Sequence, residues 1–319
     1  MLTRRSALVT ALPAALAVRA HAASGFDALV ASVRAEAAAE GIRRDILDAA
    51  FAGVTPNAKV IEKDQKQVEF TMTWAQYRAL VIGDKRISDG RAAVAQNRAL
   101  LGSVENYFRV GCPVIAGIWG LESSFGVNTG NYKVVEALAT LAWAGRRSAF
   151  FREELMAALR ILNNGDITPP RMTGSYAGAM GQPQFMPSSF LRLAVDFDGD
   201  GRRDIWTSKA DVLGSIANFL ARSGWRAGET WGQPVYVSGA AVPAGRDVKR
   251  PVAEWARQGV APASGKWAAP GDALSAVISP DGAGGETFMV FNNFAAIRRY
   301  NPSDFYAIAV GLIGDWVAT

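Results

Sequence analysis

The chain is 319 residues long, half of them hydrophobic and a fifth charged, with a formal net charge of +5. That profile belongs to a folded globular protein and excludes a disordered chain or one built of membrane spans. The length suits one core with smaller lobes attached, not three independent domains.

In chain order, the first feature is an export signal over residues 1–22. Arg4 and Arg5 form a basic start, Ala7 to Val18 an apolar run, and Ala20-His21-Ala22 a small-residue cleavage site. The run is too short to span a bilayer. Thr3-Arg4-Arg5-Ser6-Ala7-Leu8 is similar to a twin-arginine signal but lacks its Phe and trailing Lys, so that route and ordinary secretion both stay open. No lipid-anchor cysteine follows, so the expectation is a periplasmic protein with no stable membrane span. Losing Arg4, Arg5 and Arg19 lowers the net charge to +2, which gives nucleic-acid binding no footing.

Two scarcities narrow the chemistry. His21, inside the signal, is the only histidine, which excludes a histidine base, a Ser-His-Asp triad and a histidine-bound metal in the mature chain. Cys112 is the only cysteine, so no intramolecular disulfide forms, and a buried structural thiol is expected there. Catalysis falls to carboxylates, hydroxyls, Lys, Arg or Tyr.

Residues 23–110 read as an N-terminal helical lobe. Phe26, Leu29, Val30 and Val33 recur at helical spacing, Thr55-Pro56-Asn57 is a break, and a later helix runs through Leu100, Leu101, Val104 and Tyr107. Residues 111–224 read as the catalytic core. Pro113 opens a buried apolar helix, Val114 to Leu121, which continues into Glu122-Ser123-Ser124-Phe125-Gly126. There follow an amphipathic helix from Arg152 to Asn163, a glycine-rich segment from Gly174 to Gly181, and an Asp/Gly cluster from Asp196 to Asp204. A capping box at Ser208-Lys209-Ala210-Asp211 starts a helix that Gly224 should end. Residues 225–290 predict a small β-rich lobe with runs such as Val235-Tyr236-Val237 and Phe288-Met289-Val290. Helical periodicity from Phe294 to Trp316 predicts a helical return over 291–319. The fold class is α+β, mainly α.

Glu122 is the first candidate for chemistry. A carboxylate on an apolar wall is desolvated and keeps its proton near neutral pH, the state a glycosidase needs in its general acid. The plain alternative is a helix-edge Glu paired with a cation. Gly174-Ser175-Tyr176-Ala177-Gly178-Ala179-Met180-Gly181-Gln182-Pro183-Gln184-Phe185 is the second candidate. Small residues let a ligand lie against the backbone, Ser175 and Gln184 offer polar partners, and Tyr176 and Phe185 offer faces for sugar rings. A glycine-rich loop without a ligand is the alternative. Asp196-Phe197-Asp198-Gly199-Asp200-Gly201 reads as the first half of a calcium loop, with the Arg202 carbonyl and Asp204 following. The Glu expected at its twelfth position is Thr207, so an Asp/Gly turn without metal stays open.

Three motifs, in this order and at these gaps, resemble the lytic murein transglycosylase B family: G-L-E-S-S-F-G, G-S-Y-A-G-A-M-G-Q-P-Q-F-M-P-S-S-F and D-F-D-G-D-G-R-R-D-I-W. The similarity extends to Arg299-Tyr300-Asn301-Pro302-Ser303 and Tyr306. It implies a lysozyme-like core flanked by a helical lobe and a small β lobe. It implies that Glu122 first protonates the glycosidic oxygen between N-acetylmuramic acid and N-acetylglucosamine, then takes the proton of the muramyl C6 hydroxyl as that oxygen attacks C1. The product is a 1,6-anhydro end, without a catalytic cofactor. It also implies a groove for peptidoglycan glycan strands lined by Ser123, Ser175, Tyr176, Met180, Gln182, Gln184, Phe185, Tyr300, Asn301 and Tyr306. Many members of that family carry Tyr-Gly where this chain has Gln182-Pro183. Finally, it implies that Asp211 closes a structural calcium site with Asp196, Asp198, Asp200, Arg202 and Asp204. Two other readings stay open: a hydrolytic muramidase with Asp196, Asp204 or Glu136 as second carboxylate, and a non-catalytic peptidoglycan-binding protein.

Overall fold

The computed structural model describes residues 12–66, 72–238 and 244–318. Arg4 and Arg5 of the expected signal lie outside the described residues, and Leu12–Ala39 forms one helix, α1. Among the described residues, no helix is long and apolar enough to cross a membrane.

Two compact units interleave along the chain. Among the described residues, one comprises 12–66, 131–179 and 186–188, and the other 72–130, 180–185, 189–238 and 244–318. After α1 come α2 (Arg44–Ala50), α3 (Ala58–Gln65), α4 (Trp74–Val81), α5 (Asp84–Gln96), α6 (Arg98–Phe108) and α7 (Cys112–Ser123). Next are β1 (Tyr132–Lys133), α8 (Val134–Ala144), α9 (Ser148–Asn164), β2 (Thr173–Gly174), α10 (Pro187–Leu193) and α11 (Lys209–Arg222). Then follow β3 (Gly232–Val237), β4 (Arg250–Pro251), α12 (Val252–Arg257), β5 (Val260–Pro262), β6 (Leu274–Ile278), β7 (Thr287–Val290), α13 (Asn292–Tyr300) and α14 (Asp304–Val317). The class is α+β and mainly α, as the periodicities predict.

In the first unit, α8 is apolar almost throughout and buried against α9, α1 and α3. Asn57 caps α3, its Oδ1 accepting from Lys59 N and Val60 N, while its Nδ2 donates to Glu136 at 2.6 Å. The antiparallel pair β1–β2, with Tyr132 opposite Gly174, forms the base of the glycine-rich loop.

The second unit is built around α7 and α14. Apolar residues surround α7 on every side, and Val114, Ile115, Ala116, Ile118 and Trp119 are all buried. Its contact with α14 is backbone to backbone. A Cβ added at Gly117 would lie 2.2 Å from the Val310 carbonyl oxygen, and one at Gly314 would lie 2.3 Å from the Pro113 carbonyl oxygen. Only glycine permits that approach. A five-stranded antiparallel sheet, ordered β4-β6-β7-β3-β5, packs Val235, Val277 and Met289 with Trp255 of α12 into its own small core. The runs predicted as strands are β3 and β7, paired with Gly232 opposite Val290.

The helical periodicity from Phe294 to Trp316 is carried by two helices, α13 and α14, split at Asn301-Pro302-Ser303. Pro302 disfavours helical backbone at Asn301, and Ser303 starts α14 afresh by accepting from Tyr306 N at 3.4 Å.

Candidate active site

Glu122 stands at the last turn of α7. Its surroundings come from elements far apart in the chain. The Tyr306 hydroxyl, in the first turn of α14, donates to Glu122 Oε1 at 2.6 Å. Tyr300, at the end of α13, stacks on Tyr306 with ring centroids 6.4 Å apart and planes 13° apart. Burial pushes the Glu122 carboxyl up to about 7, and the Tyr306 hydrogen bond opposes that rise. The phenols of Tyr306 and Tyr300 are driven well above their usual range by burial and by the Glu122 charge, so both stay protonated donors. A carboxyl poised near 7 can give a proton and take one back within a single cycle.

Tyr300 anchors a second layer. Its hydroxyl donates to the Pro183 carbonyl at 2.6 Å, and its ring lies 4.4 Å from Phe219 and 5.7 Å from Phe185. Gln184 has φ of +53°, a region that side-chain-bearing residues avoid. It is half-buried, and its Nε2 donates to Gly181 O at 2.7 Å and Thr129 O at 3.0 Å. Asn301 is exposed, and its Oδ1 accepts from Ser303 N at 3.1 Å. The second unit therefore brings together Glu122, Tyr306, Tyr300, Phe185 and Gln184. Ser175 and Tyr176 belong to the first unit. There Ser175 Oγ accepts from Ala177 N and Ala179 N and shapes the loop, and the Lys63 ammonium lies 5.6 Å from the Tyr176 ring centre.

Five residues read as ligand-facing are not placed to touch one. Ser123 and Met180 have no exposed surface, Phe185 is 2% exposed, and Gln182 and Tyr306 are 4% exposed, the Tyr306 hydroxyl already donating to Glu122. Ser123 Oγ donates to Trp119 O and accepts from Gly126 N, so it ties off the helix end. Met180 pairs backbone to backbone with Phe185. The side-chain amide of Gln182 is committed to Trp119, Trp206 and Lys209.

Two neighbours were not legible in the sequence. Tyr77 on α4 is half-buried, and its phenol is raised by burial and by the Glu122 charge. Arg86 on α5 lies beside Tyr77 and donates to Val81 O at 2.5 Å and Ser124 Oγ at 3.5 Å. In the sequence each is an ordinary helix residue, and no motif marks it. Cys112 is half-buried, and burial with its bond to Glu105 pushes its thiol up to about 12, so it carries no thiolate chemistry.

In the acidic loop, ligand oxygens of Asp196, Asp198 and Asp211 lie within 4.8 Å of one another. An all-carboxylate donor set suits a hard cation such as calcium. Burial raises the Asp211 carboxyl, and the Asp198 charge adds to that; a cation would relieve both effects. Asp200 instead pairs with Arg202 at 2.9 Å. Asp204 also departs from the expected ligand role. Its carboxylate accepts from Trp206 N, Thr207 N and the Thr207 hydroxyl, because the chain turns sharply there.

A family model described as "Transglycosylase SLT domain" matches residues 25–315. The chain is 32% identical over 247 residues to the membrane-bound lytic murein transglycosylase B of Escherichia coli K12, covering 77% of this chain and 67% of that protein. Among solved structures, SltB3 from Pseudomonas aeruginosa in complex with NAG-anhNAM-pentapeptide aligns with a TM-score of 0.84 at 42% identity, covering 91% of this chain and 78% of that one. The Escherichia coli lytic transglycosylase Slt35 in complex with calcium aligns with a TM-score of 0.76 at 28% identity, covering 92% of each chain.

Proposed function

This chain belongs to the transglycosylase SLT domain family, and from that premise we propose that it cuts peptidoglycan with Glu122 as its one acid and base. Family and relatives make it a lytic transglycosylase acting on peptidoglycan. The observation that carries the finer reading is the Glu122 carboxyl, pushed up to about 7 by burial and bonded to the Tyr306 hydroxyl.

Protonated Glu122 gives its proton to the glycosidic oxygen between the muramyl and glucosaminyl rings, and the C1–O bond breaks. The muramyl 2-acetamido group stabilises the cation at C1. Tyr306 then holds the ionised carboxylate by its hydrogen bond. That carboxylate takes the proton of the muramyl C6 hydroxyl as the oxygen closes on C1. No water is consumed, a 1,6-anhydro end forms, and Glu122 is reprotonated for the next cut. Proximity favours the attached C6 hydroxyl over water. The carboxylates that a muramidase would need are committed elsewhere. Asp204 caps its own turn, Glu136 holds Asn57, and Asp196 accepts from Gly199 N and Gly201 N.

Within the second unit we assign Gln184, Tyr300 and Asn301 to the sugar groove beside Glu122. Asp196, Asp198 and Asp211 would hold a structural calcium ion away from the bond that breaks. The signal-like start and the murein-acting relatives support a periplasmic location after export. Mass spectrometry of peptidoglycan digested by the mature protein tests the reading. Muramyl products lighter by one water and inert to borohydride are expected. Reducible ends that carry oxygen from labelled water would make it a muramidase.

A further inference from the structure

Behind the end of α7 lies a polar side chain that the reaction does not touch. Gln182 Oε1 accepts from Trp119 Nε1 at 2.8 Å and from Lys209 Nζ at 3.3 Å. Its Nε2 donates to Trp206 O at 2.9 Å, and its backbone N donates to Ile205 O at 2.9 Å. One buried amide therefore joins three segments: α7, the first turn of α11, and the stretch that leaves the acidic loop. Lys209 Nζ also lies 4.6 Å from the centre of the Trp119 ring.

The chain just past Glu122 needs such support. Ser124 and Phe125 have φ of +50° and +59°, and Gly126 has +91°. Two successive side-chain-bearing residues in the left-handed region persist only where the surroundings over-determine them. Trp119 is the centre of that restraint. Its carbonyl accepts from Phe125 N at 3.2 Å and Ser123 Oγ at 3.1 Å, and its ring meets the Phe125 ring edge-on at 5.4 Å. The Gln182 amide also fills the space beside Gly126, where an added Cβ would lie 2.4 Å from Oε1.

We propose that Gln182 is a positioning residue for Glu122. By fixing Trp119 and the turn at 123–126, it holds the carboxyl dry and facing Tyr306. The proposal rests on the reading of Glu122 as proton donor. It gives a reason for a buried glutamine at 182 that ligand contact does not.

Gln182→Met keeps the bulk and removes all three side-chain bonds. The full mature chain is assayed on soluble glycan oligomers across pH, beside the unmutated protein and Lys209→Met. The expected kcat of Gln182→Met is lower on the order of tenfold, with KM nearly unchanged. Activity is also lost at a pH lower by about half a unit, because a loosened seat admits water and draws the carboxyl toward its ordinary range. Lys209→Met should move both quantities the same way by less. A merely structural role would lower the melting temperature and leave the pH profile unmoved. That result in Gln182→Met, or in Lys209→Met where Gln182→Met does not fold, overturns the proposal. It would leave the function reading intact, whereas an unmutated protein that releases no anhydro product would overturn that reading instead.

Discussion

Glu122→Gln should abolish cleavage and, above neutral pH, make the protein more stable. An unfolded glutamate titrates near 4.5, while burial in the fold holds Glu122 near 7. Between those values the folded state binds more protons than the unfolded one, so stability is fully present below about 4.5 and lost as pH rises through about 7. The gap, at roughly 1.4 kcal/mol per pH unit, amounts to about 3 kcal/mol. Glutamine keeps the shape and a carbonyl for the Tyr306 hydroxyl but cannot ionise. Urea unfolding at pH 5 and pH 8 should therefore show the variant gaining about 2 to 3 kcal/mol relative to the unmutated chain across that interval. Clearing of peptidoglycan suspensions should fall to background in the same preparation. If the two proteins keep a constant stability difference from pH 5 to pH 8, the carboxyl is not held protonated by the fold. Substantial clearing by the folded variant would remove Glu122 from the chemistry.

Two further outcomes follow from the packing and the acidic loop. Calcium should raise the melting temperature by binding the folded state, and Asp198→Ala should remove that rise; calorimetry showing no binding at millimolar calcium would leave the loop as a turn. Gly117→Ala places a methyl group on the Val310 carbonyl oxygen, so urea unfolding should show a loss of roughly 3 kcal/mol or more; unchanged stability would mean that α7 and α14 part easily.

What the sequence reveals is what a local pattern encodes. The apolar run before Glu122 announces a buried helix, and that burial is what raises the carboxyl. The alternating aspartates announce the acidic loop, and Ser208 announces the start of α11. Features made by distant segments are hidden. Glu122 and Tyr306 are 184 positions apart, and no spacing rule joins them. Gln182 reads as a groove residue because its motif is rich in glycine and polar groups. Its burial depends on Trp119, Trp206 and Lys209, which no window contains together. Tyr77 is hidden for the same reason. The break at Pro302 is a different case. Its cause is local, but the apolar spacing on either side continues across it and masks it.

The pairing of α7 with α14 also fixes when the protein becomes dangerous to a cell wall. During synthesis, Glu122 emerges long before Tyr300, Tyr306 and the glycine at 314. A nascent chain therefore carries this carboxyl without the side chains that bury it. Its carboxyl stays near the ordinary range, ionised at neutral pH and unable to donate. For the proposed lytic enzyme, drawing part of the burial of Glu122 from beyond residue 300 makes folding itself the safety catch.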